Sequence, residues 1–325
     1  MSSALPKITI LGSLNIDLVS YVPHHPLPGE TLTATSFVTS PGGKGANQAV
    51  ACGKLSRSRT ASTPPGSASQ LPTALVTMVG AVGSDSYGTL LKSNLSNYGV
   101  DPTLVAEIPD TKTGIALIVV DEPTGQNRII LSAEANHLVK GESYVQKAVE
   151  GTDLLIMQLE IPMETVLAAV AKAKETGVKL LLNPAPAQKL PDEVYAGLAH
   201  LIVNETEASI LGGVEESALD TEEGLEKVGK KFLERGVENV VITLGGRGVF
   251  YIDNKGKKGL VEAEKGIKVV DTTAAGDTFV GRYALDIVGK DFDIEKAVRK
   301  ANKTSAITVQ RAGAQDSIPW RDEVE

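Results

Sequence analysis

Short runs of apolar residues alternate along the chain with longer segments whose apolar positions recur every three or four residues. The short runs are rich in β-branched side chains and apolar on both faces, which is typical of parallel strands covered by helices. They are KITILG (7–12), TALVTMVG (73–80), TDLLIMQLE (152–160), VKLLLNPAP (178–186), HLIVNETE (200–207) and ENVVITLGG (238–246). Between them, METVLAAVAKAKETG predicts a helix that ends at Gly177, with one apolar face formed by Met163, Val166, Leu167 and Val170. The alternation predicts an α/β fold with a mostly parallel sheet and helices on both sides.

Three segments depart from this alternation. Residues 18–40 contain the strand-like pieces LVSYVP and TLTATSFVT around a Pro/Gly turn, and residues 113–132 resemble a β-hairpin. Both could leave the main sheet and pair into a small accessory sheet that acts as a lid. Residues 56–72 are rich in Ser, Thr, Pro and Gly and predict a flexible surface loop. A passive insertion is the simpler interpretation of this loop; a phosphorylation target at its Arg-Ser-rich start is the alternative.

Composition narrows the class of protein. The 325 residues suffice for one large α/β domain or two ordinary ones. The net charge of −8, with no basic block, argues against nucleic acid or an anionic membrane as the main partner. A single cysteine, Cys52, excludes an internal disulfide, and we expect it to be a small core residue on a helix. There is no signal-peptide pattern and no apolar stretch long enough to span a bilayer, so we expect a cytoplasmic protein, with a nuclear location also open.

A first glycine-rich stretch, SPGGKGANQAVACG (40–53), precedes a predicted helix. Gly42 and Gly43 would let the backbone approach a ligand closely, and Lys44 and Asn47 add polar groups beside them. The spacing of a Walker A loop is absent. A purely structural tight turn is an equally good interpretation of this stretch alone.

A second stretch, ITLGGRGV (242–249), follows a predicted strand. Gly245, Gly246 and Gly248 would permit backbone contacts at the carboxyl end of that strand, where open α/β sheets bind their ligands. Because GVFYID follows at once, a simple hairpin turn is the alternative, and both can hold together.

The third stretch, VVDTTAAGDTF (269–279), sets small residues between two acids. Ala274, Ala275 and Gly276 lie at the predicted N-terminus of a helix, where three consecutive N–H groups without bulky side chains form a cradle for an anion. Asp277 is either the N-cap of this helix or a carboxylate that orients and deprotonates an attacking hydroxyl. An anion cradle beside a carboxylate suits phosphoryl transfer. The helix would bury Phe279, Val280, Tyr283, Ala284 and Ile287.

Taken together, these motifs resemble the ribokinase-like (PfkB) family of carbohydrate kinases. The resemblance covers nearly the whole chain and rests on GSLNIDLV, PGGKGANQA and DTTAAGDTF, with further matches in MQLEIP, NPAPA, NETEA, TLGGRG and GAQDSIPW. It implies one three-layer α/β/α domain over residues 1–325, with lid strands from about 18–40 and 113–132 and a homodimer formed through the lid. The insertion at 56–72 departs from the family's compact pattern.

The resemblance also implies an activity, the ATP-dependent phosphorylation of D-ribose at O5. Asp277 would be the catalytic base, with Ala274, Ala275 and Gly276 as the anion hole. The residues implied to bind the sugar, besides Asp277, are Asn15, Ile16, Asp17, Gly43, Lys44, Gly45, Ala46, Asn47 and Glu160.

Nucleotide and metal positions follow from the same resemblance. Those near ATP would be Asn204, Thr243, Leu244, Gly245, Gly246, Arg247, Gly248, Gly276, Asp277 and Asn302. Asn204 and Glu207 would place Mg²⁺ and phosphate through water, although on spacing alone they are an N-cap and a first-turn Glu. A K⁺ site would comprise Asp271, Thr273, Thr308, Arg311, Gly313 and Ser317, mostly through backbone carbonyls.

Other functions remain open at this point. A kinase of the same family that acts on deoxyribose, fructose or adenosine would differ by only a few pocket contacts. A non-catalytic sugar- or nucleotide-binding protein has no physical need for Asp277. A nicotinamide dehydrogenase is disfavoured because no GxGxxG follows the first strand.

Overall fold

A computed structural model describes residues 4–59 and 71–325. Of the loop predicted at 56–72, residues 60–70 therefore lie outside the described residues. Its Arg-Ser-rich start, considered as a phosphorylation target, is described, and both serines there, Ser56 and Ser58, are buried.

The larger of two sheets contains nine strands within the described residues. They are β1 (Lys7–Leu11), β4 (Leu75–Gly83), β5 (Val105–Ile108), β8 (Leu154–Met157), β9 (Lys179–Leu182), β10 (His200–Asn204), β11 (Asn239–Thr243), β12 (Val249–Asp253) and β13 (Lys258–Val261). Their order is β13–β12–β11–β10–β9–β8–β1–β4–β5. Strands β5 to β11 in this order are all parallel, and only β12 and β13 add antiparallel pairs at one edge. Each predicted strand is present.

Helices cover both faces of this sheet. They are α1 (Lys44–Leu55), α2 (Ser86–Asn97), α3 (Glu142–Val149), α4 (Met163–Thr176), α5 (Asp192–Tyr195), α6 (Glu205–Gly212), α7 (Glu222–Glu234), α8 (Ala275–Ile287) and α9 (Ile294–Thr308). One apolar core lies between the sheet and α1, α2, α8 and α9, and a second lies between the sheet and α3, α4, α6 and α7. Alternate residues of β1 supply the two cores, since Ile8 and Ile10 belong to the first and Leu11 to the second. The predicted mostly parallel α/β fold is confirmed.

The smaller sheet is built from the segments that break the alternation. It contains β2 (Asn15–Val22), β3 (Ser36–Gly42), β6 (Gly114–Asp121) and β7 (Asn127–Ser132), in the order β3–β2–β6–β7. Strand β2 pairs parallel with β6 and antiparallel with β3. The expected strand TLTATSFVT begins only at Ser36, and the pairing continues through Gly42 directly into α1. This continuity places the glycine turn of the first motif at the junction of the two sheets.

Helices α1 and α8 pack in close contact. A Cβ on Gly281 of α8 would overlap Ala51 of α1, so the helices approach closely only because this residue is glycine. Cys52, the neighbouring residue, is fully buried, and burial raises the pKa of its thiol to about 12. The expected core role of Cys52 is what the structure shows. No helix within residues 4–59 or 71–325 is long and apolar enough to cross a membrane.

Candidate active site

Polar side chains gather at one edge of the large sheet, where the carboxyl ends of β1, β8, β9, β10 and β11 meet. The N-terminus of α6 follows β10 directly at this edge, and those of α1 and α8 are joined to it by hydrogen bonds. Open α/β sheets bind ligands at this edge because the strand-to-helix turns there expose backbone donors and side chains.

The first glycine turn makes room for two polar residues of β2. A Cβ on Gly42 would overlap the carboxylate of Asp17, and a Cβ on Gly43 would lie 2.7 Å from the backbone nitrogen of Asn15. Gly43 also has a φ of 88°, which favours glycine. The turn is therefore a structural necessity, and the same turn brings Asn15 and Asp17 next to the start of α1.

The N-terminus of α1 is capped by a carboxylate of the protein itself. The backbone N–H of Lys44 donates to Oε2 of Glu160 at 3.0 Å, and the Ser13 hydroxyl donates to the same oxygen at 2.5 Å. The N–H of Gly45 donates in turn to the Ser13 hydroxyl at 3.3 Å. Glu160 thus fixes the start of α1, an arrangement favoured by the helix dipole.

Asn15 is positioned by a residue that the sequence analysis did not single out. The buried Asn136 donates to Oδ1 of Asn15 at 2.8 Å and exchanges two further hydrogen bonds with the backbone of Leu14. Asn136 lies in a 3₁₀ turn after β7. An Asn in a segment that links a strand to a helix gives no signal of this contact, because its partners lie 121 and 122 positions away.

Asp277 lies in the first turn of α8 and is not its N-cap. The N-cap is Ala274, which lies three residues earlier and has a φ of 59°. The Asp277 carboxylate instead accepts hydrogen bonds from two consecutive side chains of α1: Nδ2 of Asn47 donates to Oδ2 at 3.1 Å, and Nε2 of Gln48 donates to Oδ1 at 2.9 Å. The N-cap interpretation of Asp277 is therefore wrong, and the residue faces α1.

A chain of buried amides extends from these contacts. Gln158 donates to Gln48 at 2.6 Å, and Gln315 donates to Asn47 at 3.0 Å. Gln48 also donates to Asn183 at 3.0 Å. The sequence analysis did not single out Gln48, Gln158, Asn183 or Gln315, although all four lie inside quoted motifs. For Gln158 and Asn183, an amide directly after an apolar strand was the available signal.

Charges at this edge influence one another. Burial, followed by the charges of Glu160 and Asp277, raises the pKa of Asp17 to about 7. Burial alone would lower the pKa of Lys44, but the charges of Asp277, Glu160 and Glu207 together raise it. Burial also raises the pKa of Glu207, against the opposing effects of Asn204 and Lys44. Lys44 therefore stays charged near the carboxylates of Asp277, Glu160 and Glu207.

The predicted anion cradle is only partly open. The N–H of Ala275 donates to the Thr272 carbonyl at 3.2 Å, so this donor is engaged within the turn. A Cβ on Gly276 would meet nothing within 4 Å, so the space beside its backbone is free.

The second glycine stretch forms both a hairpin and an open surface. Strand β11 pairs antiparallel with β12 through the turn, and the N–H of Leu244 donates to the Gly248 carbonyl at 2.8 Å. Gly248 has a φ of 101°. A Cβ on Gly245 or Gly246 would meet nothing within 4 Å, so a ligand can approach the backbone there. The Arg247 guanidinium turns back towards the protein, where it pairs with Glu205 and donates to the Leu219 carbonyl at 3.0 Å.

Asn204 and Glu207 form a capping box at the start of α6. The N–H of Glu207 donates to Oδ1 of Asn204 at 2.8 Å, and the Glu207 carboxylate accepts the backbone N–H of Asn204 at 2.9 Å. Thr243 ends the neighbouring strand β11, and its hydroxyl donates to the Val203 carbonyl at 3.4 Å. Across residues 4–59 and 71–325, no group of three or more His, Cys, Asp or Glu side chains is placed to hold a metal ion.

Part of the predicted K⁺ set comes together around Asp271. Its carboxylate accepts the N–H of Thr273 at 2.8 Å and the N–H of Gly313 at 2.9 Å, joining the loops before α8 and after α9. Thr308 contacts α8 by a hydroxyl bond to Thr278 at 3.1 Å. The Arg311 side chain points elsewhere, to Glu323 at 3.0 Å. The hydroxyl of the buried Ser317 donates to the Ala314 carbonyl at 2.7 Å.

Some predicted site residues do not present their side chains at this edge of the large sheet. The side chains of Ile16 and Ala46 lie in the apolar core, and that of Leu244 is also buried. Asn302 of α9 donates to the Glu262 carbonyl at 2.9 Å, just after β13. Its amide therefore fixes the segment that follows the edge strand.

This architecture, with a buried carboxylate at a helix N-terminus on the ligand edge of a parallel sheet, belongs to a known class of enzyme. The family model described as "pfkB family carbohydrate kinase" matches residues 5–321. The chain belongs to this family and is a kinase.

Individual relatives narrow the comparison. The chain is 42% identical over 324 residues to a ribokinase of Schizosaccharomyces pombe, covering 98% of this chain and 96% of the relative. It is 34% identical over 316 residues to a deoxyribokinase of Salmonella typhi, covering 96% and 95%. Among solved structures, the Arabidopsis thaliana ribokinase complexed with ribose and ATP superimposes with a TM-score of 0.85 at 28% identity, covering 99% of this chain and 98% of that one.

Proposed function

We propose that the protein transfers the γ-phosphoryl group of ATP to O5 of D-ribose, giving ribose 5-phosphate and ADP. The observation that carries the proposal is Asp277: a carboxylate held by two amides of α1, beside the open backbone of Gly276 at the start of α8. The similarity to ribokinases, one of them solved with ribose and ATP, supports this choice of substrates.

In this proposal the reacting groups meet between α1 and α8. The O5 hydroxyl gives its proton to Asp277 while O5 bonds to the γ-phosphorus, and the bond from that phosphorus to the β–γ bridging oxygen breaks. Little proton transfer is needed before bond breaking in a loose transition state, so the main task of Asp277 is positioning. The backbone around Ala274 to Gly276 would stabilise the charge on the phosphoryl oxygens.

Sugar hydroxyls would be recognised by the polar residues around the first glycine turn. Asp17 can accept two hydrogen bonds from a vicinal diol, and Asn47 and Lys44 lie at the adjoining end of α1. Asn15 and Glu160 are held from behind by Asn136 and Ser13, which fixes their remaining polar atoms. Gly43 and Gly45 contribute backbone only, as do Ile16 and Ala46, whose side chains lie in the core. Because these acceptors are buried, a sugar that lacks a hydroxyl would leave one unpaired and bind poorly.

The nucleotide would lie along the open glycine turn. Gly245 and Gly246 leave the backbone free for contact, and Thr243, Leu244, Arg247 and Gly248 border the same turn. Asn302 would flank the base from α9. Asn204 and Glu207 stand at the end of β10, between this turn and the carboxylates.

Two cations complete the proposal. Mg²⁺ is held in many kinases by substrate phosphates, waters and only one or two carboxylates, so Glu207 with Asn204 fits its placement without a larger carboxylate cluster. When bound, Mg²⁺ would neutralise charge on the phosphates. K⁺ would be held by backbone carbonyls of the loops that Asp271 joins, at Thr273, Thr308, Arg311 and Gly313, with Ser317 beside them. Activity that stays flat when tetramethylammonium replaces K⁺ would exclude this role.

The small sheet would serve as a lid and as a dimer interface. Large apolar side chains on it are 44–63% exposed, which is unusual for a monomer: Phe37, Val38, Leu117, Ile129, Ile130 and Leu131. Three of them are consecutive in the edge strand β7, so both of its faces are apolar and uncovered. A second copy of the chain would cover this surface. Light scattering should give the mass of a dimer for the wild type and of a monomer for Ile130→Lys; a monomeric wild type at micromolar concentration would refute it.

The test of the proposed reaction is an ADP-release assay over a panel of ribose, 2-deoxyribose, fructose and adenosine. The highest kcat/KM is expected with ribose, and no turnover with any of the four would refute the proposal. Deoxyribose is the second candidate because of the 34% identity to a deoxyribokinase. A deoxyribose kcat/KM that equals or exceeds that of ribose would assign the protein to that substrate.

A further inference from the structure

Asp277 receives both of its side-chain hydrogen bonds from consecutive residues of α1, but the two donors differ in what else they can do. Asn47 belongs to the proposed sugar-binding set. Gln48 is fully buried, whereas Asn47 retains 6% exposure, so Gln48 faces the protein interior. Its Nε2 lies 2.9 Å from Oδ1 of Asp277.

The orientation of the Gln48 amide is fixed by its other partners. Oε1 of Gln48 accepts from Nε2 of Gln158 at 2.6 Å, so the nitrogen of Gln48 must face Asp277. The second hydrogen on that nitrogen goes to Oδ1 of Asn183 at 3.0 Å. Asn183 is itself fixed, because its Nδ2 donates to the Ile202 carbonyl at 2.9 Å.

These contacts connect Asp277 to three neighbouring strands. Gln158 follows β8, Asn183 follows β9, and Ile202 lies within β10. The residue at the end of β1 completes the enclosure, since a Cβ on Gly12 would overlap the Gln158 amide. Thus the rigid sheet, and not only the adjoining helix, determines where one oxygen of the carboxylate lies.

We propose that Gln48 is a positioning residue for the transfer reaction: with Gln158 and Asn183 behind it, it holds the Asp277 carboxylate in the rotamer that meets the sugar hydroxyl. This inference rests on the proposed function, in which Asp277 is the base. Gln48 itself touches neither sugar nor nucleotide. Its removal is therefore expected to affect the chemical step far more than the binding of either substrate.

The decisive variant is Gln48→Met, which keeps nearly the same volume but removes the donor. We expect kcat to fall about 10- to 100-fold, while KM for the sugar and for ATP changes less than about threefold. A kcat within twofold of wild type, in protein with an intact thermal transition, would overturn the proposal. A loss of the same size in kcat/KM that came only from a higher KM would also overturn the proposal, because Gln48 would then act in substrate binding.

A second variant keeps the proposal testable if Gln48→Met does not fold. Oε1 of Gln158 is buried without a hydrogen-bond partner, and Gln158→Met removes it while leaving Oε1 of Gln48 without a partner, so the number of unpaired buried acceptors does not change. We expect kcat to fall about 3- to 10-fold with KM unchanged; an unchanged kcat would overturn the proposal.

Two controls separate the possible failures. Asn239 lies at the amino end of β11, at the opposite edge of the sheet, and donates its amide to the Ala199 carbonyl at 2.9 Å. Asn239→Leu should lower the melting temperature but leave kcat and KM unchanged. Asp277→Asn tests the proposed function itself. If Asp277→Asn is inactive and Gln48→Met is fully active, only the positioning role fails; if Asp277→Asn remains active, the proposed base fails with it.

Discussion

Two parts of the candidate site are built in opposite ways. The carboxylate cluster (Asp17, Lys44, Glu160 and Asp277) is buried or half-buried, and side chains of distant segments hold two of its acids, Glu160 and Asp277. The glycine loop (Thr243–Gly248) presents mainly backbone, with free space beside Gly245 and Gly246. Contacts within the protein thus orient the acids Glu160 and Asp277, whereas the loop leaves its backbone open to a ligand. In the proposed function this difference assigns selectivity and chemistry to the cluster, and nucleotide binding to the loop.

The largest expected effect tests the cluster directly. Asp277→Asn keeps the shape of the side chain but cannot take a proton, so kcat should fall by about 10³-fold. ATP affinity should stay within about threefold, because the nucleotide would lie along the glycine loop. Steady-state kinetics and calorimetric ATP titration would measure both quantities. A comparable loss of ATP affinity would show that the two parts are not separate.

The second largest expected effect is the pH dependence of stability that comes from the buried Asp17 in the cluster. The pKa of Asp17 is raised to about 7 from 3.8, so between these values the folded protein holds a proton that the unfolded chain has released. The wild type without ligand therefore loses stability as pH rises from about 4 to about 7, and this loss should be absent in Asp17→Asn. Between pH 5 and pH 8 the variant should gain about 2–3 kcal/mol relative to wild type.

Urea denaturation at both pH values, without sugar, would measure this gain. A relative stability independent of pH would show that Asp17 is ionised in the free protein and the cluster less desolvated than its geometry indicates.

The third prediction concerns Gly248, the end of the glycine loop that packs against the protein. Gly248 has a φ of 101°, and a Cβ there would overlap the Val261 carbonyl. Gly248→Ala should therefore lower the free energy of unfolding by about 2–3 kcal/mol, through strain and a displaced β12. Thermal or chemical denaturation would detect the loss, and unchanged stability would mean that the turn is as adaptable as its neighbours.

The smallest expected effect concerns Gly246, in the part of the glycine loop that has free space beside its backbone. Gly246→Ala adds a methyl group into free space, so stability should change by less than about 0.5 kcal/mol. KM for ATP should rise about two- to fivefold, because the methyl group partly blocks the approach to the backbone. A change in kcat or in KM for the sugar would break the division between loop and cluster.

The local pattern of apolar and polar residues was sufficient to predict the strands and helices of the main sheet. Strands such as 7–12 and 238–246 were predictable because parallel strands buried on both faces must be apolar throughout. The end of α4 at Gly177 was predictable because a left-handed C-cap favours glycine, and Gly177 has a φ of 74°. The two excursions that form the small sheet were visible because they lack an intervening helix, although the start of β3 was placed too early.

The arrangement inside the candidate site could not be read in the same way. Gln48 and Asp277 are 229 positions apart, and no local pattern specifies their contact. Ala274 adopts a φ of 59° that its residue type does not predict, so the N-cap of α8 could not be located from sequence. The role of Glu160 as the cap of α1 was missed for the same reason as Asn136: both act across more than 110 residues. Residue types at the site were therefore predictable, but their mutual orientation was not.

The hydrogen bond between Gln315 and Asn47 joins residues 268 positions apart, so it can form only near the end of protein synthesis. While the ribosome is still making the chain, α1 and the small sheet emerge long before α8 and the segment after α9. A nascent chain at that stage has the residues proposed to bind the sugar, but it has neither Asp277, the proposed base, nor Gln315, whose amide donates to Asn47. In the proposed function, catalytic competence therefore arises late in translation, when nearly the whole fold is available to enclose the reaction.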